Sequence, residues 1–419
     1  MGASNHLSRE LAYVEEHGEP TRLDQLASPP VLPGQNAALV YLQAMDEMAG
    51  HGASGISLRS QLDFRSTNDH DRDERFLLLV PVLPEYEEAL EICLGAVNLE
   101  KCRFPELAGN DHDAAFVRSD KMHRLVWMFA TRAHLALRKG DIPASRDDYC
   151  AVLRMVRHMQ QQPVFWYSPT DYAEACFEDI AEILISAGAS ELDMRKILQE
   201  LRQISVQNSL QTELRMQRCV ELPDISAILA ERPLPSSRGA CREIEFHWRR
   251  LAFWQIVLYG EKTLLVQEYA ACLRFIRECI ELSKRPLHEV RRELMDIVSA
   301  LRRQPRYCFS RIIADVCSRR FFDYARFAAK RDVLVLGAAV LIYKTRTGSL
   351  PESLSDLAPD LLPELPTDPY TGAGYIYRKS PDGFVVYSVG ENLKDDGGTP
   401  YDPSEGPGEG DISLRVPRQ

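Results

Sequence analysis

Apolar side chains recur every three or four residues through most of positions 36–347, the period of a helix with one face turned inward. Asn36 stands where a helix cap is expected, ahead of Leu39, Leu42, Met45 and Met48, and Gly50 follows them. Residues 51–74 read as a polar loop. Arg75 to Leu83 is an apolar run too short to distinguish a strand from a buried turn. Tyr86, Leu90, Cys93, Leu94 and Val97 mark the next helix. Met122, Leu125, Val126, Phe129, Ala133 and Leu137 mark a longer one ending at Gly140. Beyond the Gly140-Asp141 turn, Tyr149, Val152, Leu153 and Val156 form the stripe of an antiparallel partner.

Helices are expected to continue from Ser168-Pro169 to Gly188, from the cap Ser190 through Leu201, and over Leu210 to Leu229 with an interruption near Pro223. Residues 232–240 are the strongest internal break. A second helical run follows, with Leu265, Tyr269, Cys272, Ile276 and Cys279 on one face. After Pro286 come Val290, Leu294, Ile297 and Leu301. In its last member Ala329, Val333, Leu336, Val340 and Tyr343 make a narrow seam suited to packing along another helix. The hairpin around Gly140 resembles one tetratricopeptide-like unit. No second copy recurs at a fixed period, so it reads as an isolated helical hairpin.

At Gly348 the pattern changes. Residues 349–369 hold five prolines and cannot form one helix. Tyr375 to Arg378 and Phe384 to Val389 alternate as strands around a Ser380-Pro-Asp-Gly383 turn, and Ile412 to Val416 is a third strand. The fold class is therefore mainly α, with antiparallel helical hairpins as a bundle or solenoid and a small C-terminal α+β domain. Four units are expected: a polar lead-in over 1–35 with one short helix, helical halves over 36–235 and 236–324, and the α+β unit over 325–419.

Composition narrows the function. Of 419 residues, 50 are Lys or Arg and 61 are Asp or Glu, a net charge of −11 that argues against a general nucleic-acid binder. The longest apolar run, Val333 to Ile342, is half what a membrane span needs. The first twenty residues lack the basic stretch and apolar core of a signal peptide. None of the ten cysteines forms a CxxC pair, and Cys93, Cys176, Cys272 and Cys279 fall at apolar helical positions, so buried thiols are expected.

The densest chemistry lies at 391–411. Glu391, Asp395, Asp396, Asp402, Glu405, Glu409 and Asp411 face a single Lys394, among glycines that let the backbone turn tightly. Hard cations such as Ca²⁺ take six to eight oxygens from carboxylates, carbonyls and water. Without a cation, closing so acidic a loop between two strands sets carboxylates against one another. The plain alternative is a solvated acidic loop.

The order of motifs here resembles the C-terminal region of the major pseudopilin of bacterial type II secretion systems. The matching residues are Tyr343, Gly348, Pro351 and Leu354, then Pro366, Asp368, Pro369, Tyr370 and Gly372, then Tyr387, Ser388, Gly390, Asp395, Asp396, Asp411 and Ile412. The resemblance covers about residues 325–417. It implies a structural calcium site with Asp396 and Asp411 as carboxylate ligands, Asn392 and Asp395 next, and Val389 as a carbonyl donor. It also implies work outside the cytoplasm, in association with the cell envelope. Two departures stand out: the family's apolar assembly helix is missing, and Asn392 occupies a position where the family carries Asp.

Other constellations are thinner. Asp69-His70-Asp71 and Asp111-His112-Asp113 each set an imidazole between carboxylates, the pairing that metal sites and acid–base catalysts use. Adjacent residues diverge in direction, so polar loop residues are the plain reading. His288-Glu289 lacks a second histidine four residues on, and Trp248, Phe253 and Trp254 with Arg249 and Arg250 read as core with a basic rim. The expectation is thus a non-enzymatic scaffold or binding protein with a calcium-braced α+β unit and an unidentified protein partner. The alternatives are a hydrolase-type enzyme using the Asp-His-Asp loops, or a cytoplasmic helical adaptor with no metal.

Overall fold

The computed structural model describes residues 2–20, 23–26, 29–50, 76–105, 112–161, 168–229, 262–303, 309–400 and 410–417. Among them are eleven α-helices and one small sheet. The helices are α1 (Gly2–Glu16), α2 (Ala37–Gly50), α3 (Glu87–Val97), α4 (His112–Arg138), α5 (Ile142–Gln160), α6 (Pro169–Ile185), α7 (Glu191–Gln203), α8 (Gln207–Leu229), α9 (Lys262–Leu282), α10 (Leu287–Arg302) and α11 (Phe309–Thr347). Strands β1 (Ile376–Ser380), β2 (Gly383–Ser388) and β3 (Ile412–Val416) form an antiparallel sheet in the order β1-β2-β3.

Local chemistry places the helix starts. Asn36 Oδ1 accepts from the backbone N–H of Ala38 at 3.2 Å, and Asp141 Oδ1 accepts from that of Ala144 at 3.1 Å. Ser190 and Asp193 form a reciprocal capping box at the head of α7. The antiparallel pair α4 and α5 buries the residues that the stripe singled out. In α2 the buried face centres on Tyr41, Ala44 and Met45, with Leu39, Leu42 and Met48 only partly covered. The described part of the Arg75–Leu83 run is no strand: Phe76 to Leu79 is helical and Val80–Tyr86 is a 3₁₀ turn. Nor does Pro223 end α8, which is assigned through to Leu229; a proline removes one hydrogen bond and need not stop a helix. The 232–240 break lies outside the described residues.

Two hydrophobic cores share α11. The first gathers α2–α7, the second half of α11, and Leu357, Leu362, Phe384, Val386 and Leu414 from the C-terminal unit. The second gathers Leu210 and Leu214 of α8, α9, α10, the first half of α11, and Tyr370. The expected boundary at 324/325 thus falls inside one continuous helix. The expected narrow seam is also too modest, because every residue from Asp332 to Ile342 is buried: α6 and α7 pack on α11, and so does the sheet. Gly337 makes the sheet side possible, since a Cβ there would lie 2.2 Å from Leu414 Cδ2. The lead-in is likewise more than a polar leader. Helix α1 docks on α9, where Arg277 binds Glu10 at 2.9 Å and lies 4.8 Å from the Tyr13 ring.

All eight described cysteines are buried, and burial pushes the thiols of Cys93, Cys102 and Cys150 up to about 12. No helix among the described residues is long and apolar enough to cross a membrane.

Candidate cation site in the C-terminal loop

The loop begins where β2 ends. Ser388 Oγ accepts from Gly390 N–H at 3.1 Å, and Gly390 then turns the chain at φ +69°. Asn392 Oδ1 accepts from Lys394 N–H at 2.9 Å, an Asx turn, while its Nδ2 donates to Asp396 Oδ2 at 3.0 Å. Gly398 sits at φ +81° against the sheet, where a Cβ would come 2.8 Å from Val385 Cγ2. On the return, Asp411 N–H donates to Thr399 carbonyl at 2.8 Å, leading directly into β3.

Asp411 closes the loop. Its side chain is buried, with 1% of the residue exposed. Oδ2 accepts from Gly398 N–H at 2.6 Å and Oδ1 from Asp396 N–H at 3.3 Å. Burial raises its pKa; those two N–H groups oppose the rise, and the like charges of Asp396 and Asp395 add to it. The exposed Asp396 carboxylate lies on the same turn, held by Asn392.

Asp395 faces elsewhere. Oδ1 accepts from Tyr387 hydroxyl at 2.7 Å and from Gly397 N–H at 3.0 Å, and Oδ2 accepts from Arg378 at 2.7 Å. The Tyr387 hydroxyl, the Gly397 N–H and Arg378 together hold its pKa below the usual carboxylate range. The structure therefore brings Asn392, Asp396 and Asp411 together and commits Asp395 to an arginine. Val389, 8% exposed, is at the loop's first corner.

As a donor set for Ca²⁺ the described part is incomplete. Among the described residues no three His, Cys, Asp or Glu side chains are grouped to hold a metal. Asp402, Glu405 and Glu409 lie outside the described residues. Two hard carboxylates, one amide oxygen and nearby carbonyls are the oxygen types that calcium takes, and the buried Asp411 beside like charges is the group that a cation would relieve.

Of the other candidates, Asp69-His70-Asp71, Asp111 and the Trp248–Trp254 cluster lie outside the described residues. His112 and Asp113 open α4. His288 is a structural tie: its backbone N–H donates to Pro369 carbonyl at 3.1 Å, and its ring lies where a Cβ on Gly372 would be.

Sequence reasoning missed a set of buried histidines in the first core. His134 Nδ1 donates to Asp179 Oδ2 at 2.9 Å, and Tyr149 hydroxyl donates to the same oxygen. His123 meets Tyr172 hydroxyl at 3.0 Å. His158 Nε2 donates to Leu99 carbonyl at 2.7 Å, leaving Nδ1 to accept from Tyr41 hydroxyl at 2.9 Å. All three residues are at most 2% exposed, and their hydrogen bonds fasten helices together. Their sequence signal was weak, because the partners lie 45 to 117 residues away. Compared with known proteins, the chain matches no family model, no curated protein and no solved structure.

Proposed function

We propose that this chain is a non-enzymatic helical scaffold whose C-terminal unit, built on α11, carries a structural calcium site in the 389–411 loop. The observation that carries the reading is Asp411, a carboxylate buried at the base of an acidic loop beside two like charges. Asp396 and Asp411 would hold the ion, with Asn392 and the Val389 carbonyl, and Asp395 stays with Arg378. Such a cage leaves the metal no chemistry to perform; it fixes the loop and with it the start of β3. The resemblance to the pseudopilin C-terminal region supports the same assignment and an envelope-associated setting outside the cytoplasm.

A loop closed by hydrogen bonds alone is the competing reading, favoured by the two N–H groups already on Asp411. Thermal melting of the full chain in calcium and in EDTA separates them. A site with [Ca²⁺] at 100 times Kd adds about 2.7 kcal/mol to folding. Identical melting in both buffers removes the calcium site and leaves the scaffold.

A further inference from the structure

Strand β1 is an edge of the sheet, paired with β2 on one side. Ser380 and Gly383 face each other across a two-residue turn, so that pair exchanges both its hydrogen bonds. Alternation gives Arg378 and Ile376 the next bonded places. Tyr377 and Lys379 therefore point their N–H and C=O groups away from β2. Among the described residues no backbone partner meets them there. The nearest bridge, Thr367 to Gly374, stops two residues short of β1, and Pro366, next along, has no N–H for extending it.

A cavity of about 280 Å³ opens beside the start of this strand. Its walls include Leu336 of α11, Leu354 and Leu365 of the proline-rich connection, and Tyr375 and Tyr377. Both tyrosine rings are anchored: Tyr375 hydroxyl donates to Asp332 at 3.0 Å, and Tyr377 hydroxyl donates to Pro351 carbonyl at 3.1 Å. Glu352, also on the wall, accepts from Lys379 Nζ at 2.6 Å. Its side chain is 86% exposed, so this ion pair is weak and exchangeable.

We propose that β1 and this cavity form a docking site for an extended segment of a partner protein, added to the sheet as a fourth strand. The segment's backbone takes up the two N–H and two C=O groups of Tyr377 and Lys379. Directly opposed residues share a sheet face, so the residue opposite Tyr377 enters the cavity and is apolar. The residue opposite Lys379, two places along, is acidic and takes Lys379 over from Glu352. Strand β1 itself (Ile376–Ser380) holds two cations and no acid, so a second copy of it is not the occupant.

Panning random dodecapeptides on phage against the immobilised full chain tests the site, in EDTA so that the outcome is separate from that of the calcium reading. Enriched peptides are expected to share an acidic and an apolar residue two places apart. Fluorescence anisotropy then measures one labelled peptide on wild type and variants. Lys379→Pro removes the ammonium and an outward N–H that the sheet does not use, and should weaken binding about tenfold. Glu352→Gln frees Lys379 and should tighten it about threefold. Should the proline variant not fold, Lys379→Glu replaces it, with a similar loss expected. No enrichment, enrichment without that spacing, or a peptide whose affinity these variants leave unchanged overturns the proposal.

Discussion

Acidification should cost the first core a calculable amount through one imidazole. His158 is fully buried, donates from Nε2 to the Leu99 carbonyl and accepts at Nδ1 from Tyr41. A proton added at Nδ1 enters an apolar core and turns the acceptor of the Tyr41 hydroxyl into a donor. Burial pulls its pKa from 6.5 down to about 4, partly opposed by the Leu99 hydrogen bond and aided by Arg157 and Arg154. A histidine depressed in the fold gives its full stability above the unfolded pKa of about 6.5 and loses it as pH falls toward about 4. From pH 7 to pH 5 the loss from this group alone comes to about 2 kcal/mol, and it approaches about 3 kcal/mol near pH 4. Urea unfolding followed by helical circular dichroism at pH 7, 6 and 5 measures it, with His158→Gln as the non-titrating reference. Every other titrating group is present in both proteins, so the difference isolates His158. A wild-type and variant pair that lose stability in parallel would refute the reasoning.

Other perturbations follow from the same contacts. Tyr375→Phe removes the hydroxyl that donates at 3.0 Å to buried Asp332 Oδ2, and should cost about 1–3 kcal/mol in chemical denaturation by loosening the sheet from α11. Gly383→Ala sets a Cβ 1.7 Å from the Val416 carbonyl oxygen, which belongs to backbone and cannot swing aside. It should cost at least about 1–3 kcal/mol, whereas Gly374→Ala, with no atom within 4 Å of its Cβ, should be near neutral. Equal effects of the two glycine substitutions would contradict the packing described.

The sequence was most legible where structure is local. The Ser190 cap, the Gly140-Asp141 turn, the 380–383 hairpin and all three strands follow from spacing and turn residues alone. What it did not convey is long-range. Nothing in the α1 pattern announces that Arg277 will hold Glu10 from 267 residues away. The α11 seam looked one-sided because a strand neighbour such as Leu414 leaves no trace in the helix period, apart from the small residue Gly337. At the candidate site, the acidic density and glycines identified the loop. Spacing could not show that Asp395 would turn to Arg378 and Tyr387 while Asp411 turned inward. The adjacent Asp395 and Asp396 are both exposed and diverge in direction, and only the distant Asp411 is buried.

Isothermal titration of calcium into the full chain, wild type beside Asp411→Asn, tests the central claim most directly. Saturable heat at one site, with a Kd in the range of about 10⁻⁶–10⁻³ M covered by sensor and extracellular calcium sites and lost in Asp411→Asn, is the predicted result. A folded wild type that gives no heat up to millimolar calcium, or heat that Asp411→Asn leaves intact, would contradict it.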